Sequence, residues 1–163
     1  LARVGDGRAA VDPREERLVQ QLGEVEQHRA LRVARDGLEQ AILEHAANQH
    51  LPVLGVCRGM QFINHCQGGT LVEVAGHVAT LHQRLLGSWA AEYNIKQVNS
   101  FHNYAVIKES LGKDLLVLAE ADDGVIEAIQ HKSYPWLGIM WHPERVPQTT
   151  YNNILIKRHF EAE

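Results

Sequence analysis

The most regular apolar pattern in the chain lies between Asp36 and Asn48. Apolar or packing residues recur there at three- and four-residue spacing: Leu38, Ala41, Ile42, His45 and Ala46. This spacing predicts a helix that ends near Asn48. Residues 1–34 are instead rich in charge and glutamine. They predict only a short amphipathic helix over about 13–22, flanked by exposed loop.

A short, continuously apolar run follows at 51–56. Such a run is typical of a strand covered on both faces in a parallel sheet. Helical spacing returns over 57–64, and Gly68 with Gly69 forms a stop signal. Cys57 is therefore predicted at a strand-to-helix turn.

The second half of the chain has the character of strands. Four segments favour extended structure: 70–74, 117–120, 125–129 and 136–141. Asp122, Asp123 and Gly124 predict a hairpin turn between the middle two. A helix over about 151–160 follows. Without an internal repeat or linker, residues 1–163 are predicted to form a single α/β domain with an antiparallel portion.

Composition narrows the class of protein. The chain has 163 residues, 45% hydrophobic and 22% charged, as in ordinary globular domains. A formal net charge of −4 argues against general affinity for nucleic acid, and small polar substrates are expected instead. No apolar stretch approaches the roughly 18 residues of a membrane helix, and no signal-peptide pattern opens the chain. We therefore expect no membrane contact and a cytoplasmic location.

Cys57 is the leading candidate nucleophile. Gly55 and Gly59 flank it at two residues on each side, which is the layout of a hydrolase elbow. A helix N-terminus and the neighbouring Arg58 are expected to favour the thiolate, and the Arg58 N–H to form half of an oxyanion hole. Taken alone, however, a cysteine after an apolar strand is more often a buried core thiol.

His142 and Glu144 supply the other groups that a cysteine nucleophile needs. They lie two residues apart after the last strong strand, so in an extended segment both side chains lean to the same side. The carboxylate can then orient the imidazole, which activates the thiol. A His-Pro-Glu string is weak evidence by itself. Its conjunction with the Cys57 turn favours enzymatic chemistry.

These motifs carry a family resemblance. Residues 52–61 and 141–144 resemble the nucleophile and histidine signatures of the class I glutamine amidotransferase-like superfamily, in its branch of stand-alone γ-glutamyl hydrolases of the peptidase C26 type. The resemblance runs from about Arg35 to the C-terminus. It implies a three-layer, flavodoxin-like α/β fold with a mixed, mainly parallel sheet.

The resemblance also implies residue roles. Cys57 would form a γ-glutamyl thioester, with His142 as general base and later acid and Glu144 as the orienting carboxylate. Substrate contacts would come from Arg58, Gln61, Ser100, Phe101 and His102. The substrate would be a small γ-glutamyl molecule, with no cofactor. The sequences of residues 100–105 and 138–142 most resemble those of one subgroup of the family. Members of this subgroup are tied to capsule phosphoramidate formation and hydrolyse γ-glutamyl-CDP-amidate.

One departure from the family concerns the N-terminal side. The family begins with a βαβαβ half whose Gly-Gly loop supplies the second oxyanion donor, and no such pattern precedes residue 35. We therefore expect a natural N-terminal portion before Leu1, with the N-terminal strands absent from this chain and residues 1–34 poorly defined.

Several alternatives stay open from the residues. Ten histidines raise a metal hypothesis for His77 and His82, but no zinc-hydrolase spacing is present, and no metal is predicted. Cys66 is expected to be a packed core thiol. The protein could instead be the ammonia-donating subunit of an amidotransferase complex, or a non-catalytic binding protein that retains the fold. A homo-oligomer and a synthetase partner both remain open.

Overall fold

The computed structural model describes residues 13–83, 85–145 and 150–161. Its helices are α1 Pro13–Gln49, α2 Arg58–Cys66, α3 Ser88–Glu92 and α4 Thr150–Glu161. Its strands are β1 Val53–Val56, β2 Val72–Glu73, β3 Val78–His82, β4 Leu85–Leu86, β5 Val98–Phe101, β6 Tyr104–Ala105, β7 Leu115–Ala121, β8 Ile126–His131 and β9 Trp136–Ile139. Short 3₁₀ turns cover Lys108–Ser110 and Pro143–Arg145. The chain divides into two units after Ala41.

The main sheet has five strands in the order β1-β9-β8-β7-β4. β1 runs parallel to β9, whereas the β9–β8, β8–β7 and β7–β4 pairs are antiparallel. The α/β class is confirmed, but the expected predominance of parallel pairs is not seen among the described strands. The reason is local, because β7, β8 and β9 follow one another through short turns that can join only antiparallel neighbours.

The turn between β7 and β8 forms where it was predicted. Gly124 has a φ of 88°, a conformation that glycine adopts without a steric penalty. The Val125 N–H donates to Asp123 Oδ1 at 3.1 Å, and the Ala121 N–H donates to the Val125 carbonyl at 2.8 Å. The turn thus fixes the position of Asp123 at one end of the sheet.

Two predictions for the N-terminal helix region were wrong in detail. The sequence predicts a short helix and loops before residue 36, but α1 runs unbroken for 37 residues. Glu, Gln, Arg and Ala are strong helix formers. The polar composition of this region is therefore compatible with a helix and is not evidence for a loop. Of the predicted apolar face, Ala46 is buried, whereas Ile42 is 52% exposed and Leu43 is buried in its place.

β9 separates two layers of core. Trp136 and Met140 pack in one cluster with Met60 and Ile63 of α2, while alternate residues of the same segment point to the other side. That second cluster holds Leu137, Ile139, Trp141, Ala90 and Leu155. This alternation is the period of two that a strand covered on both faces requires. Residues 136–141 therefore lie between the two clusters.

Sequence patterns missed the shortest elements. β3, β4, α3, β5 and β6 were not predicted, because segments of two to five residues carry little periodicity. β3 pairs with β5, and β2 pairs with β6, as two separate two-stranded sheets. Among the described residues, no helix combines the length and apolar character needed to cross a membrane.

Candidate active site

Cys57 occupies a strained turn between β1 and α2. Its backbone has φ 49° and ψ −101°, which is unusual for a residue with a side chain and costs on the order of 1–3 kcal/mol. The Cys57 N–H donates to the Ile139 carbonyl at 2.7 Å, and its carbonyl accepts from the Gln61 N–H at 3.1 Å. The surrounding hydrogen bonds therefore hold the predicted elbow in place.

The two glycines around Cys57 differ in what they allow. A Cβ at Gly55 would lie 2.7 Å from the Gly59 carbonyl carbon and 2.7 Å from Ile63 Cδ1. A Cβ at Gly59 would meet nothing within 4 Å. The cramped side of the elbow is thus at Gly55, which lets α2 pack closely on β1.

His142 and Glu144 are paired. His142 Nδ1 lies 2.6 Å from Glu144 Oε1. Glu144 lies in the 3₁₀ turn Pro143–Arg145, which brings its carboxylate back to the ring two residues earlier. Because Nδ1 is engaged, Nε2 is the ring nitrogen left to accept a proton from a nucleophile. Partial burial acts against the charge of Glu144, but its own backbone N–H and His142 still lower the pKa of this carboxyl.

Asn99 holds the backbone of His142, and the sequence assigned it no role. Its Nδ2 donates to the His142 carbonyl at 2.7 Å, and its Oδ1 accepts from the His142 N–H at 2.8 Å. Asn99 is buried in β5, so this two-way clamp fixes the histidine from behind. No sequence signal identified it, because β5 was not predicted as a strand and its residues Asn99 and Ser100 are polar.

The three predicted catalytic residues lie at one edge of the sheet. β1 and β9 are adjacent and parallel, so Cys57 and His142 both follow carboxyl ends at this edge. The charges of Arg145 and Glu144 both act on the Cys57 thiol. Among the hydrogen bonds of the described residues, none joins Cys57 Sγ to the His142 ring. Such contacts often tighten only when substrate binds.

The surroundings of Cys57 raise the pKa of its thiol. Burial raises its pKa, and the Arg58 backbone N–H and the Arg145 guanidinium lower it only in part. The helix N-terminus and Arg58 were expected to favour the thiolate, and burial outweighs the part of that effect that the Arg58 N–H supplies. Burial has the largest effect on the pKa of Cys57, and Arg58 lowers this pKa through its backbone N–H. That N–H points toward the sulfur, as an oxyanion donor would.

The other predicted substrate residues are in different environments. Gln61 Nε2 donates to the Tyr104 carbonyl at 2.8 Å and lies 3.9 Å from Met140 Sδ. Ser100 is fully buried, and its hydroxyl donates to the His77 carbonyl at 2.7 Å. This burial does not favour a substrate contact through the Ser100 side chain, because its hydroxyl is already satisfied inside the protein.

Phe101 lies beside the catalytic candidates, whereas His102 is turned away into the protein. The Phe101 ring makes an edge contact with His142 at 6.0 Å between centroids. Arg145 lies over the same ring at 4.5 Å, a cation–π arrangement. His102 is buried against His77 and His82, and burial lowers its pKa to about 4. Phe101 and Arg145 are thus the better placed to border a substrate, and Arg145 was missed from the sequence.

A cavity lies away from these residues. Trp89, Tyr93, Leu137 and His159 are among the residues that line it, and none of the predicted site residues does. The candidate catalytic residues therefore lie outside this cavity.

Comparison with known proteins identifies the family of this chain. The family model of Peptidase C26 matches residues 7–144. The γ-glutamyl-CDP-amidate hydrolase of Campylobacter jejuni is 37% identical over 126 residues, which cover 77% of this chain and 58% of that protein. A putative glutamine amidotransferase-like protein of Lactococcus lactis is 34% identical over 137 residues, covering 72% of this chain and 56% of that protein.

One further curated relative and one solved structure are similar to this chain. Anthranilate synthase component 2 of Cyanophora paradoxa is 33% identical over 124 residues, covering 73% of this chain and 65% of that protein. The crystal structure of a putative GMP synthase component from Thermoplasma acidophilum superposes with a TM-score of 0.58 at 21% identity, covering 75% of this chain and 62% of that one. The chain spans between 56% and 65% of the three curated relatives' lengths. With the family match covering most of its residues, this chain belongs to the Peptidase C26 family.

Proposed function

We propose that the protein hydrolyses a γ-glutamyl amide with Cys57 as the nucleophile. The observation that carries this proposal is the His142–Glu144 pair, which follows β9 at the same sheet edge as the strained turn of Cys57. A histidine oriented by a carboxylate beside a thiol at a helix N-terminus is the arrangement used for acyl transfer. The family assignment supports the same chemistry.

The first step forms a thioester. Since burial keeps the thiol protonated, His142 Nε2 takes the proton as Cys57 Sγ attacks the γ-carbonyl carbon. The Arg58 N–H donates to the oxygen that becomes negative. Collapse of this intermediate breaks the C–N bond, and His142 returns the proton to the departing nitrogen. Glu144 stabilises the imidazolium throughout.

The second step releases glutamate. A water molecule gives a proton to His142 Nε2 and attacks the thioester carbon. The C–S bond breaks, the thiol regains its proton from His142, and the free γ-carboxylic acid leaves. Asn99 keeps the imidazole in position for both steps, because it fixes the N–H and the carbonyl of the same residue.

The leaving group is proposed to be a phosphoramidate of a nucleoside diphosphate, as in γ-glutamyl-CDP-amidate. Support comes from the Campylobacter jejuni relative, which is named for that substrate. Arg145 and Phe101 border His142, and a cation beside an aromatic face suits a negatively charged substrate. A role in capsule biosynthesis and a cytoplasmic location belong to the same proposal.

The test compares the two cysteines. Cys57→Ala is expected to lower kcat/KM on a chromogenic γ-glutamyl anilide by roughly 10³-fold or more, since it removes the nucleophile. Cys66→Ala is the matched control, because that thiol packs against the core. Unchanged turnover in Cys57→Ala would refute the mechanism. Mass spectrometry of Cys57 after brief incubation should also detect the glutamyl adduct.

A second candidate is the glutaminase subunit of an amidotransferase complex. It is favoured by the 33% identity to anthranilate synthase component 2. Ammonia release from glutamine separates the two functions. A free-standing hydrolase should cleave γ-glutamyl amides on its own, whereas a subunit should release ammonia from glutamine only when its synthetase is added. A protein inert in both assays, with Cys57 unreactive toward a glutamine-like alkylating agent, would be a binding protein.

A further inference from the structure

Three side chains outside the proposed catalytic residues meet at one point. His77, His82 and Asp123 each offer a ligand atom, and these atoms all lie within 4.8 Å of one another. His77 Nε2 is 3.2 Å from Asp123 Oδ2, and the two imidazole rings are 4.7 Å apart between centroids. Both histidines are only 8% exposed, while Asp123 is 44% exposed on its side chain. We call these three residues the imidazole site.

A β-bulge is what brings the two histidines together. Residues five apart in a regular strand point to opposite sides. In β3, however, Val78 pairs with Phe101 and Thr80 with Ser100, so Ala79 is an extra residue, with a φ of 55°. One inserted residue reverses the alternation beyond it. His77, just before β3, and His82, at its end, therefore point to the same side.

Glu127 orients one of the rings. Its Oε1 lies 2.5 Å from His82 Nδ1, and the carboxylate is fully buried. A carboxylate that accepts from one ring nitrogen fixes the tautomer and leaves the lone pair of the other nitrogen for a ligand. His82 Nε2 is thereby available to the imidazole site. This is the outer-shell arrangement found behind metal-bound histidines.

Unpartnered polar atoms occur on residues that form or border the imidazole site. His77 Nδ1, Glu127 Oε2 and both ring nitrogens of His102 are buried without a well-formed hydrogen bond. The His102 ring lies 5.2 Å from that of His77 and is 5% exposed. Buried polar groups are normally satisfied by protein, water or an ion. These neighbouring side chains therefore make the surroundings of the imidazole site polar.

We propose that His77, His82 and Asp123 bind a divalent transition-metal ion of the zinc type. Two imidazoles with a carboxylate are a donor set for Zn²⁺, whose tetrahedral ligand atoms lie about 3.4 Å apart. The His77–Asp123 distance already meets this spacing. Closing the remaining gaps needs ligand atoms to move by roughly 1 Å. Exposure on the Asp123 side gives the ion an entry path and water as a fourth ligand.

The ion would link separate parts of the sheet system. β3 belongs to the small β3–β5 sheet, whereas Asp123 is in the turn between β7 and β8 of the main sheet. Metal binding would therefore stabilise the folded chain as a cross-link does. The binding is independent of the proposed catalysis, because none of the three ligands belongs to the Cys57, His142 and Glu144 group.

Titration of the metal-free protein tests the site. The full chain is treated with a chelator, dialysed, and titrated with Zn²⁺ by calorimetry and with Co²⁺ by visible absorption. One equivalent should bind, with the intense visible bands of tetrahedral cobalt and a rise in Tm. Asp123→Asn is expected to weaken binding roughly tenfold or more, and His82→Gln roughly 100-fold. Glu127→Gln, which leaves all three ligands, should weaken it about 10- to 100-fold.

Controls identify the binding residues. His65→Gln changes an exposed histidine outside the site and should bind as the parent does. Cys57→Ser excludes binding through the catalytic thiol and should also retain full affinity. Absence of binding at micromolar free Zn²⁺ would overturn the proposal, and so would binding lost in Cys57→Ser but unchanged in Asp123→Asn. Because Asp123 is exposed, Asp123→Asn is expected to fold. This variant therefore tests the site even where a histidine variant does not fold.

Discussion

The Cys57 turn and the imidazole site are built by different means. The turn is made of five consecutive residues whose backbone is strained and tightly packed, so its shape depends on the space at Gly55. The imidazole site draws on β3 and a distant turn, and depends on a bulge and on buried side-chain partners. The first is therefore sensitive to added volume, and the second to the loss of a single polar group.

β5 supports both regions from opposite faces. Asn99 holds the backbone of His142, while the next residue, Ser100, donates to the His77 carbonyl. The alternation of a strand thus connects the catalytic edge to the imidazole site. Substitutions at Asn99 and Ser100 therefore test the two regions separately. Substitutions at Gly55 and Gly59 test only the Cys57 turn.

The largest effect on stability is expected at the glycine behind the turn. Gly55→Ala would place a Cβ 2.7 Å from backbone and side-chain carbon of α2. Overpacking of this kind is expected to lower the free energy of unfolding by about 3 kcal/mol, measured by urea denaturation. Activity should fall with it, since α2 carries Cys57 at its N-terminus.

Gly59→Ala is the matched control for that change. Its Cβ would meet nothing within 4 Å, and alanine in a helix is favoured over glycine by about 1 kcal/mol. The free energy of unfolding should therefore be unchanged or slightly higher. Equal destabilisation of the two variants would show that crowding at Gly55 is not what shapes the turn.

An intermediate effect is expected at the clamp. Asn99→Ala removes two hydrogen bonds to the His142 backbone and should lower the free energy of unfolding by about 2 kcal/mol. Because the imidazole is then less well placed, kcat should fall more than KM rises. Ser100→Ala removes one hydrogen bond on the other face and should cost about 1 kcal/mol. An unaltered kcat in Asn99→Ala would mean that the 3₁₀ turn alone positions His142.

The smallest effect concerns the charge state of the thiol. Burial raises the pKa of Cys57 above its ordinary 9.0, so the thiolate forms at higher pH in the folded protein than in the unfolded one. The rate of alkylation by iodoacetamide, followed by mass spectrometry at Cys57, should therefore reach its midpoint above that of the urea-unfolded chain.

Neighbouring charges sharpen this measurement. Arg145→Gln removes a cation that lowers the pKa of Cys57 and should move the midpoint further up. Glu144→Gln removes an anion that raises it and should move the midpoint down. A folded midpoint below the unfolded reference would contradict the dominance of burial.

Local patterns were enough to predict the turn and the strand before His142. Three kinds of signal affect only the few residues around them. They are the continuous apolar runs of β1 and β9, the glycines beside Cys57 and the turn residues before Val125. The two-residue spacing of His142 and Glu144 is equally local, and the pair forms. The fold class and the family followed from these segments.

Other features depended on residues far apart in sequence. The extent of α1 was missed because polar helix formers resemble loop in composition. The raised pKa of the Cys57 thiol follows from burial, which no nearby residue determines. Asn99 contacts His142 from 43 positions away. His82 points to the same side as His77 only because a bulge in β3 reverses the side-chain alternation.

The amino-acid sequence by itself determined where the chain turns, which segments are buried and which residues carry reactive groups. Tertiary structure alone decided how acidic the thiol is, what holds His142 and which histidines meet. The physical reason is that backbone preference acts over a few residues, whereas desolvation and side-chain contact depend on everything packed nearby.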